Sequence, residues 1–119
     1  MTAVVAASLA VVPTARADTV VTATVDHWSD GDTVVTDLGT VRLIGINAPD
    51  VGECGYENAT RVAESLAPAG TTVTLTLPSA HDDTDDYGRL LRYVDVGSLD
   101  IGLRQVKKGS QAKYDSTDG

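Results

Sequence analysis

The sequence is short of cysteine, of basic residues and of long apolar runs. Cys54 is the only cysteine among 119 residues, so no disulfide can form within the chain. Nine Lys and Arg face 17 Asp and Glu, and the formal net charge is −8 at pH 7. This balance argues against a protein that holds nucleic acid by bulk positive charge. It suits an exported protein, or a site in which carboxylates hold a cation.

One short apolar run occupies residues 3–12 and is too short to span a bilayer. Ala15-Arg16-Ala17 follows, a small-x-small pattern typical of signal-peptide cleavage. We therefore predict a signal peptide over residues 1–17 and a secreted, extracellular domain over residues 18–119, without stable membrane association after cleavage. No Lys or Arg precedes the run, and the alternative interpretation is a buried first strand or helix.

Most of the remaining chain alternates β-branched and polar residues. This period of two predicts strands at residues 19–28, 33–37, 40–46, 71–77 and 90–96, with Trp28 and the β-branched residues in the core. Helical spacing of apolar residues predicts one helix over residues 57–67, with Ala59, Val62, Ala63 and Leu66 on one face. It predicts a second helix over residues 99–108, with Leu103 and Val106 inward. Residues 110–119 have no apolar period and are predicted to be frayed. Five strands with a helix after the third match the OB-fold, so we predict a mainly β (α+β) chain with a five-stranded Greek-key barrel.

The first group of candidate functional residues is Asp30-Gly31-Asp32-Thr33, between two predicted strands. Asp-Gly is a strong hairpin signal, because Gly tolerates positive φ. The second acid is expected to be the first residue of the next strand, where neighbouring strands would hold it rigidly. Hard cations such as Ca²⁺ need oxygen ligands held in that way. Taken alone, the pattern also fits an ordinary solvated turn.

Two further groups contain arginine. Arg42 is expected to share a strand face with Ile44 and Ile46, where a guanidinium needs an anion or an acid as its partner. Asn47 and Asp50 follow that strand, and Arg89 enters the last predicted one. Two Arg with carboxyl and amide oxygens describe a phosphate site with a divalent cation. The alternative for each piece alone is a surface ion pair.

The segment before Arg89 is rich in acid. Residues 79–86 contain Asp82, Asp83, Asp85 and Asp86. They lack the ligand spacing and the Glu of an EF-hand loop, and we predict a solvated, mobile loop there instead of a cation site.

Three motifs, in this order and spacing, resemble the staphylococcal (micrococcal) nuclease-like family of thermonucleases. They are Asp-Gly-Asp-Thr at residues 30–33, Arg-Leu-Ile-Gly-Ile-Asn-Ala-Pro-Asp at 42–50, and Asp-Asp-Tyr-Gly-Arg at 85–89. The resemblance covers residues 19–113. It implies an OB-fold enzyme that hydrolyses DNA and RNA phosphodiesters with Ca²⁺ (Ca2+) and leaves 3′-phosphate ends. It also implies that DNA or RNA is the partner, as substrate, of what we expect to be a monomer.

The resemblance assigns a metal-binding role to four residues. Asp32 would be the principal carboxylate ligand of Ca²⁺, with Asp30 as a supporting acid. Asn47 stands where the family has a second acidic ligand, and this change removes one negative charge and should weaken Ca²⁺ binding. Ala48 would contribute its backbone carbonyl.

The remaining roles concern substrate and catalysis. Arg42 and Arg89 would clamp the scissile phosphate, and Asp50 takes the position of the family's Glu, the proposed general base. Its side chain is about 1 Å shorter, and a misplacement of that size can cost about 10²-fold in rate. Tyr87, and with a looser match Tyr114, would contact nucleotides.

The resemblance leaves two functions open. The chain ends soon after the second helix, where family members continue, so the domain is expected to be C-terminally truncated. Together with the changes at Asn47 and Asp50, this keeps an alternative to the nuclease: a catalytically weak or inactive nuclease-like domain that binds nucleic acid or a protein partner. A more distant alternative, an OB-fold that binds oligosaccharide, would leave Arg42 and Arg89 unexplained.

Overall fold

The computed structural model describes residues 17–107 and the backbone of residues 113–114. Residues 1–16, which hold most of the predicted signal peptide, lie outside the described residues. The described part contains eight strands and two helices. In chain order these are β1 (Thr19–Asp30), β2 (Thr33–Thr36), β3 (Gly39–Leu43), β4 (Ile46–Asn47), α1 (Tyr56–Leu66), β5 (Thr72–Leu77), β6 (Leu90–Val96), β7 (Leu99–Asp100), α2 (Ile101–Lys107) and β8 (Lys113–Tyr114).

Five of the strands form a closed barrel. They lie in the order β3-β2-β1-β5-β6, and a parallel pairing of β3 with β6 joins the two ends. The twelve-residue β1 reaches both halves, because its first half pairs with β5 and its second with β2. Register shifts after Val25 and after Trp28 bend it, as β-bulges do. The predicted OB-like, mainly β fold is confirmed, with β7 as an extra strand beside β6.

The barrel interior is built from the inward side chains of these strands. They are at most 2% exposed and include Val34, Val41, Leu43, Val73, Leu75 and Val94. Trp28 joins them as predicted, and its Nε1 donates a hydrogen bond to the Ala67 carbonyl, 2.8 Å away. Ala59 and Ala63 of α1 are fully buried, so the apolar face predicted for this helix lies against the barrel.

The predicted third strand is wrong beyond Leu43. Ile44 and Gly45 form a turn, in which Gly45 has a φ of 86°, and the chain resumes as β4. Because this turn interrupts the alternation of a strand, Leu43, Ile44 and Ile46 are all buried. The expectation that Arg42, Ile44 and Ile46 share one face of a continuous strand is therefore wrong. The turn instead wraps around the Arg42 side chain.

The second helix also differs from its prediction. Leu99 and Asp100 pair with β6 as β7, and α2 starts at Ile101. The Asp100 carboxylate accepts a hydrogen bond from the Leu103 N–H at 3.0 Å, which is the bond expected of an acid before the first turn. The buried residues of α2 are Ile101, Gly102 and Gln105, whereas Leu103 and Val106 are only half-buried.

The prediction of a frayed tail is wrong for the two described residues of that segment. Lys113 and Tyr114 form β8, which pairs with the short β4. The rest of residues 108–119 lies outside the described part of the chain. Within residues 17–107, neither helix has the length and apolar character needed to cross a membrane.

Candidate functional site

One pocket of about 410 Å³ gathers residues from four separate segments of the barrel. Asp32 comes from the turn between β1 and β2, Arg42 from β3, and Asn47 and Asp50 from β4 and the loop after it. Tyr87 and Arg89 come from the segment before β6. We call Asp32 and Arg42 the floor of the pocket, and Asn47, Asp50, Tyr87 and Arg89 its rim.

Three predicted site residues, Asp30, Ala48 and Tyr114, do not line this pocket. Asp30 and Ala48 are in contact with Asp32. The backbone of Tyr114 pairs with Ile46, and the Tyr114 side chain lies outside the described part of the chain.

Asp32 is held from three directions. It is 2% exposed; its Oδ1 accepts a hydrogen bond from the Thr33 hydroxyl at 3.0 Å, and its Oδ2 accepts one from the Ala48 N–H at 2.8 Å. The Arg42 Nη2 lies 3.4 Å from the same Oδ2. Asp32 belongs to the turn and β2 begins at Thr33, so the expectation that Asp32 is the first residue of the next strand is wrong. These bonds hold the carboxylate rigidly, although it is not part of a strand.

Position 31 needs a glycine because its surroundings leave no space for a side chain. Its φ is not positive, contrary to the expectation from the Asp-Gly pair. A Cβ on Gly31 would lie 2.8 Å from the Ala59 Cβ and 2.9 Å from the Ala48 Cβ, closer than real Cβ contacts come. The turn therefore packs directly against α1 and against the loop after β4.

Asp30 is the second acid of the turn and is half-buried. Its Oδ1 accepts a hydrogen bond from the Asp32 N–H at 3.0 Å. Burial, together with the adjacent Asp32 carboxylate, raises the pKa of Asp30 to about 7. Two acids this close repel each other when both are charged, and a bound cation would relieve that repulsion.

Arg42 reaches the floor with a side chain that is 13% exposed. Its Nη1 donates hydrogen bonds to the Leu43 carbonyl and, at 2.8 Å, to the Ile46 carbonyl, so the guanidinium fills the turn between β3 and β4. Its Nη2 faces Asp32 and the Asn47 Oδ1, each at 3.4 Å. The acid expected as partner of this half-buried Arg is thus Asp32.

Asp50 is exposed and belongs to a compact turn. Its N–H donates to the Glu53 Oε1 at 2.7 Å, and the Glu53 N–H donates back to the Asp50 carbonyl at 2.9 Å. Gly52 has the positive φ of 89° in this turn. The backbone of Asp50 is therefore fixed, while its carboxylate faces the pocket.

Asp85 is a residue of the site that the sequence analysis missed. Its carboxylate accepts hydrogen bonds from the backbone N–H groups of Tyr87 and Arg89, both at 2.9 Å, and from the Arg89 Nε at 2.6 Å. Partial burial acts to raise the pKa of Asp85, but these bonds outweigh it and lower the pKa below its usual value. The available signal was its spacing of four residues from Arg89.

The orientation of Arg89 follows from this contact. Its Nη1 lies 3.4 Å from the Thr33 hydroxyl. Thr33 directly follows the segment Asp30-Gly31-Asp32, which we call the acid turn. The Arg89 Cζ lies 5.3 Å from the centre of the Tyr87 ring, within the range of a cation–π contact, and Tyr87 itself is 84% exposed.

The acidic loop is fastened at a second point. Arg92 donates to the Asp83 carboxylate at 2.7 Å and to its carbonyl at 3.0 Å. Asp83 and Asp85 are therefore both paired with Arg side chains, and the prediction of a solvated loop is wrong for Asp85, whose side chain is 18% exposed. The Asp83 side chain is 64% exposed. Asp82 and Asp86 are exposed, as expected.

The three motifs meet at one pocket. No family model and no curated protein matches this chain.

The oxygens around the floor are of the kind that a hard cation binds. Asp32 offers a carboxylate and Asn47 an amide oxygen, and Asp30 adds a second carboxylate nearby. At Ala48 the contact with Asp32 is made by the N–H. Within residues 17–107, no three His, Cys, Asp or Glu side chains are grouped closely enough to hold a metal ion by themselves. The donor set fits Ca²⁺ in kind, with fewer negative charges than three carboxylates would supply.

Proposed function

We propose that the chain is a secreted, Ca²⁺-dependent nuclease of the staphylococcal nuclease-like family, which hydrolyses DNA or RNA phosphodiesters and leaves 3′-phosphates. The observation that carries the proposal is the meeting of Arg42, Arg89, Asp32 and Asp50 at one pocket. These residues lie up to 57 positions apart in the sequence, and only the closed barrel brings them together. The apolar run and the Ala15-Arg16-Ala17 pattern support export.

Asp32 would hold the cation, with the oxygens of Asn47 and Ala48 as further ligands and Asp30 in support. Bound there, Ca²⁺ would polarise the phosphate and offset its negative charge. Asn47 carries no charge, so the site would bind Ca²⁺ more weakly than one with a carboxylate at this position.

The two arginines would bind the scissile phosphate. A planar guanidinium can donate two parallel hydrogen bonds to phosphate oxygens, and Arg42 approaches the pocket from β3 while Arg89 approaches it from the segment before β6. Their positive charges would stabilise the added negative charge of the pentacoordinate transition state.

Asp50 would act as the general base. Its carboxylate would take a proton from a water molecule as the water oxygen bonds to phosphorus. The bond from phosphorus to the 5′ oxygen then breaks, so the phosphate stays on the 3′ side. The leaving 5′ oxygen takes its proton from solvent, while Arg89 stabilises its developing charge.

The test is cleavage of single-stranded DNA by the purified chain with Ca²⁺, with and without a chelator. We expect cleavage that stops on chelation, and a loss of about 10²-fold or more in Arg89→Ala, because one stabilising donor is worth that much. Arg61→Ala is the matched control, since Arg61 is exposed on α1 and outside this pocket. Cleavage that ignores the chelator, or that survives Arg89→Ala, would falsify the proposal.

A binding domain without activity is the second candidate. It is favoured by Arg42, whose guanidinium is already partnered by Asp32 and by two backbone carbonyls. Binding of single-stranded DNA without cleavage, by a folded chain in saturating Ca²⁺, would support this candidate over the nuclease.

A further inference from the structure

Gln105 is a fully buried polar residue in the middle of α2, directly behind the acid turn. Its Nε2 donates one hydrogen bond to the Gly31 carbonyl and one to the Ala59 carbonyl, both at 2.9 Å. We infer that Gln105 is a positioning residue, which fixes the backbone of the acid turn and thereby the two carboxylates on either side of Gly31. The part of this inference that concerns Ca²⁺ rests on the proposed function.

The chemistry of these contacts requires an amide nitrogen. Both partners are carbonyl oxygens, which only accept, so the group between them must supply two N–H donors. A Gln side chain has such a pair in one NH₂ group, whereas Leu or Met of similar size has none. Filling this space in the core therefore does not explain the residue, because an apolar side chain would fill it without burying an amide.

Gly31 is buried and tightly packed on its other side. A Cβ there would lie 2.8 Å from the Ala59 Cβ and 2.9 Å from the Ala48 Cβ. Without the Gln105 amide, the Gly31 carbonyl would lose a hydrogen bond in a buried position, and the turn would shift to recover one. Ala59 would lose its link to the turn at the same time.

A shift of Gly31 would displace the carboxylates of Asp30 and Asp32 at the pocket. Asp30 and Asp32 are its chain neighbours, and the Asp32 carboxylate is set by bonds of 2.8 to 3.0 Å to Ala48 and Thr33. Ligand oxygens tolerate small displacements poorly, and loss of a partner that orients a metal ligand typically costs 10- to 100-fold in affinity. Gln105 thus connects α2, α1 and the candidate cation site through one amide.

The decisive variant is Gln105→Met, which keeps the length of the side chain and removes both donors. We expect the Kd for Ca²⁺, measured by calorimetry, to rise about 10-fold. In the cation-free protein we expect faster hydrogen exchange at the Asp32 and Thr33 amides, because the turn has lost its anchor. If Gln105→Met does not fold, Gln105→Asn takes its place, since it keeps the donors but cannot reach both carbonyls.

Ile101→Val is the matched control. Ile101 is equally buried on the same helix, and its truncation removes core contacts without touching the turn. It should lower Tm while leaving the Kd and the Asp32 exchange rate as in the wild type. Equal effects of the two variants on these readouts, or no effect of Gln105→Met on either, would reduce Gln105 to a packing residue.

The two proposals fail separately. A wild-type chain that binds no Ca²⁺ overturns the proposed function, and the exchange rate at Asp32 in the cation-free protein still decides whether Gln105 positions the turn. Wild-type Ca²⁺ binding, with the same Kd and the same Asp32 exchange rate in Gln105→Met, overturns the inference and leaves the nuclease proposal intact.

Discussion

The floor and the rim of the pocket are built in opposite ways. On the floor, Asp32 is 2% exposed and the Arg42 side chain 13% exposed, and both are hydrogen-bonded to neighbouring backbone and side-chain groups. On the rim, Asp50 is exposed and Tyr87 is 84% exposed, whereas Arg89 is half-buried and bonded to Asp85. The floor is held in place by the fold itself, whereas Asp50 and Tyr87 on the rim are open to solvent.

Because of this difference in burial, substitutions on the floor and on the rim should affect different properties of the protein. A change on the floor disturbs buried hydrogen bonds and close packing, so it should lower the free energy of unfolding. A change at an exposed rim residue such as Asp50 removes a group that is open to solvent, so it should alter rate and leave stability nearly unchanged. The predictions below test this separation.

The largest effect is expected at Asp50. Asp50→Ala should lower kcat by about 10²-fold or more, the usual contribution of a general base, with a free energy of unfolding within about 0.5 kcal/mol of the wild type. Asp50→Glu adds about 1 Å of reach and should raise kcat if the shorter side chain limits the rate. Both are measured by single-stranded DNA cleavage and urea unfolding.

Asp82→Ala is the control for Asp50, because Asp82 is an exposed acid outside the pocket. Its kcat should equal that of the wild type. A kcat for Asp50→Ala close to that of Asp82→Ala would remove Asp50 from the mechanism and leave the rim without a base.

The next effect compares two glycines. Gly31→Ala places a Cβ 2.8 Å from the Ala59 Cβ, and neither backbone can yield easily, so we expect a loss of about 1–3 kcal/mol in the free energy of unfolding. Gly52→Ala meets nothing within 4 Å and should cost only the strain of its positive φ, about 1 kcal/mol. Urea unfolding of both variants measures the two costs. A larger loss in Gly52→Ala would contradict the contrast between the tightly packed turn before Asp32 and the open turn after Asp50.

The smallest effect is at Asp85, which holds Arg89 from the side. Because its folded-state pKa is lowered, its contribution to stability is complete above the unfolded pKa of about 3.9 and is lost as pH falls through the folded value. Asp85→Asn should therefore be less stable than the wild type by about 1 kcal/mol at pH 7, and the gap should close as the pH is lowered below about 4.

Asp86→Asn is the matched control for this pH dependence. Asp86 is the exposed neighbour of Asp85 in the same loop. The difference in stability between Asp86→Asn and the wild type should stay small at every pH. A gap of the same size and pH dependence in both variants would mean that the net charge of the loop, and not the bonds to Arg89, is responsible.

Elements with a strong local pattern could be predicted from the sequence. The alternation of residues 19–28 gave a strand because each inward side chain is buried in the barrel, and the small residues Ala59 and Ala63 gave the face of α1 that packs on it. Trp28 was predicted in the core for the same reason. In each case the pattern and the final environment of the residue agree.

Other features depend on contacts between distant segments and could not be predicted. The turn at Ile44 and Gly45 looks like a continuing strand in the sequence, because Ile44 and Ile46 on either side of Gly45 are apolar and β-branched. Gln105 looks like a surface residue of a helix until the Gly31 carbonyl, 74 residues away, is placed beside it. Asp85 opens the third motif in the sequence, but only the structure shows that its carboxylate is bonded to the Tyr87 and Arg89 backbone and holds the Arg89 side chain.

The sequence by itself determined the location of the five barrel strands, the first helix and the chemistry of the candidate residues, because side-chain periodicity and residue type are local properties. The short strands β4, β7 and β8 depend on pairing with other segments of the chain. The tertiary structure alone decided that Asp32, Arg42, Asp50 and Arg89 share one pocket, since closure of β3 on β6 sets their separation. It also decided why Gly31 is glycine. The Asp-Gly pair suggested a requirement for positive φ, but the packing of Ala59, Ala48 and Gln105 against Gly31 makes it a requirement for space.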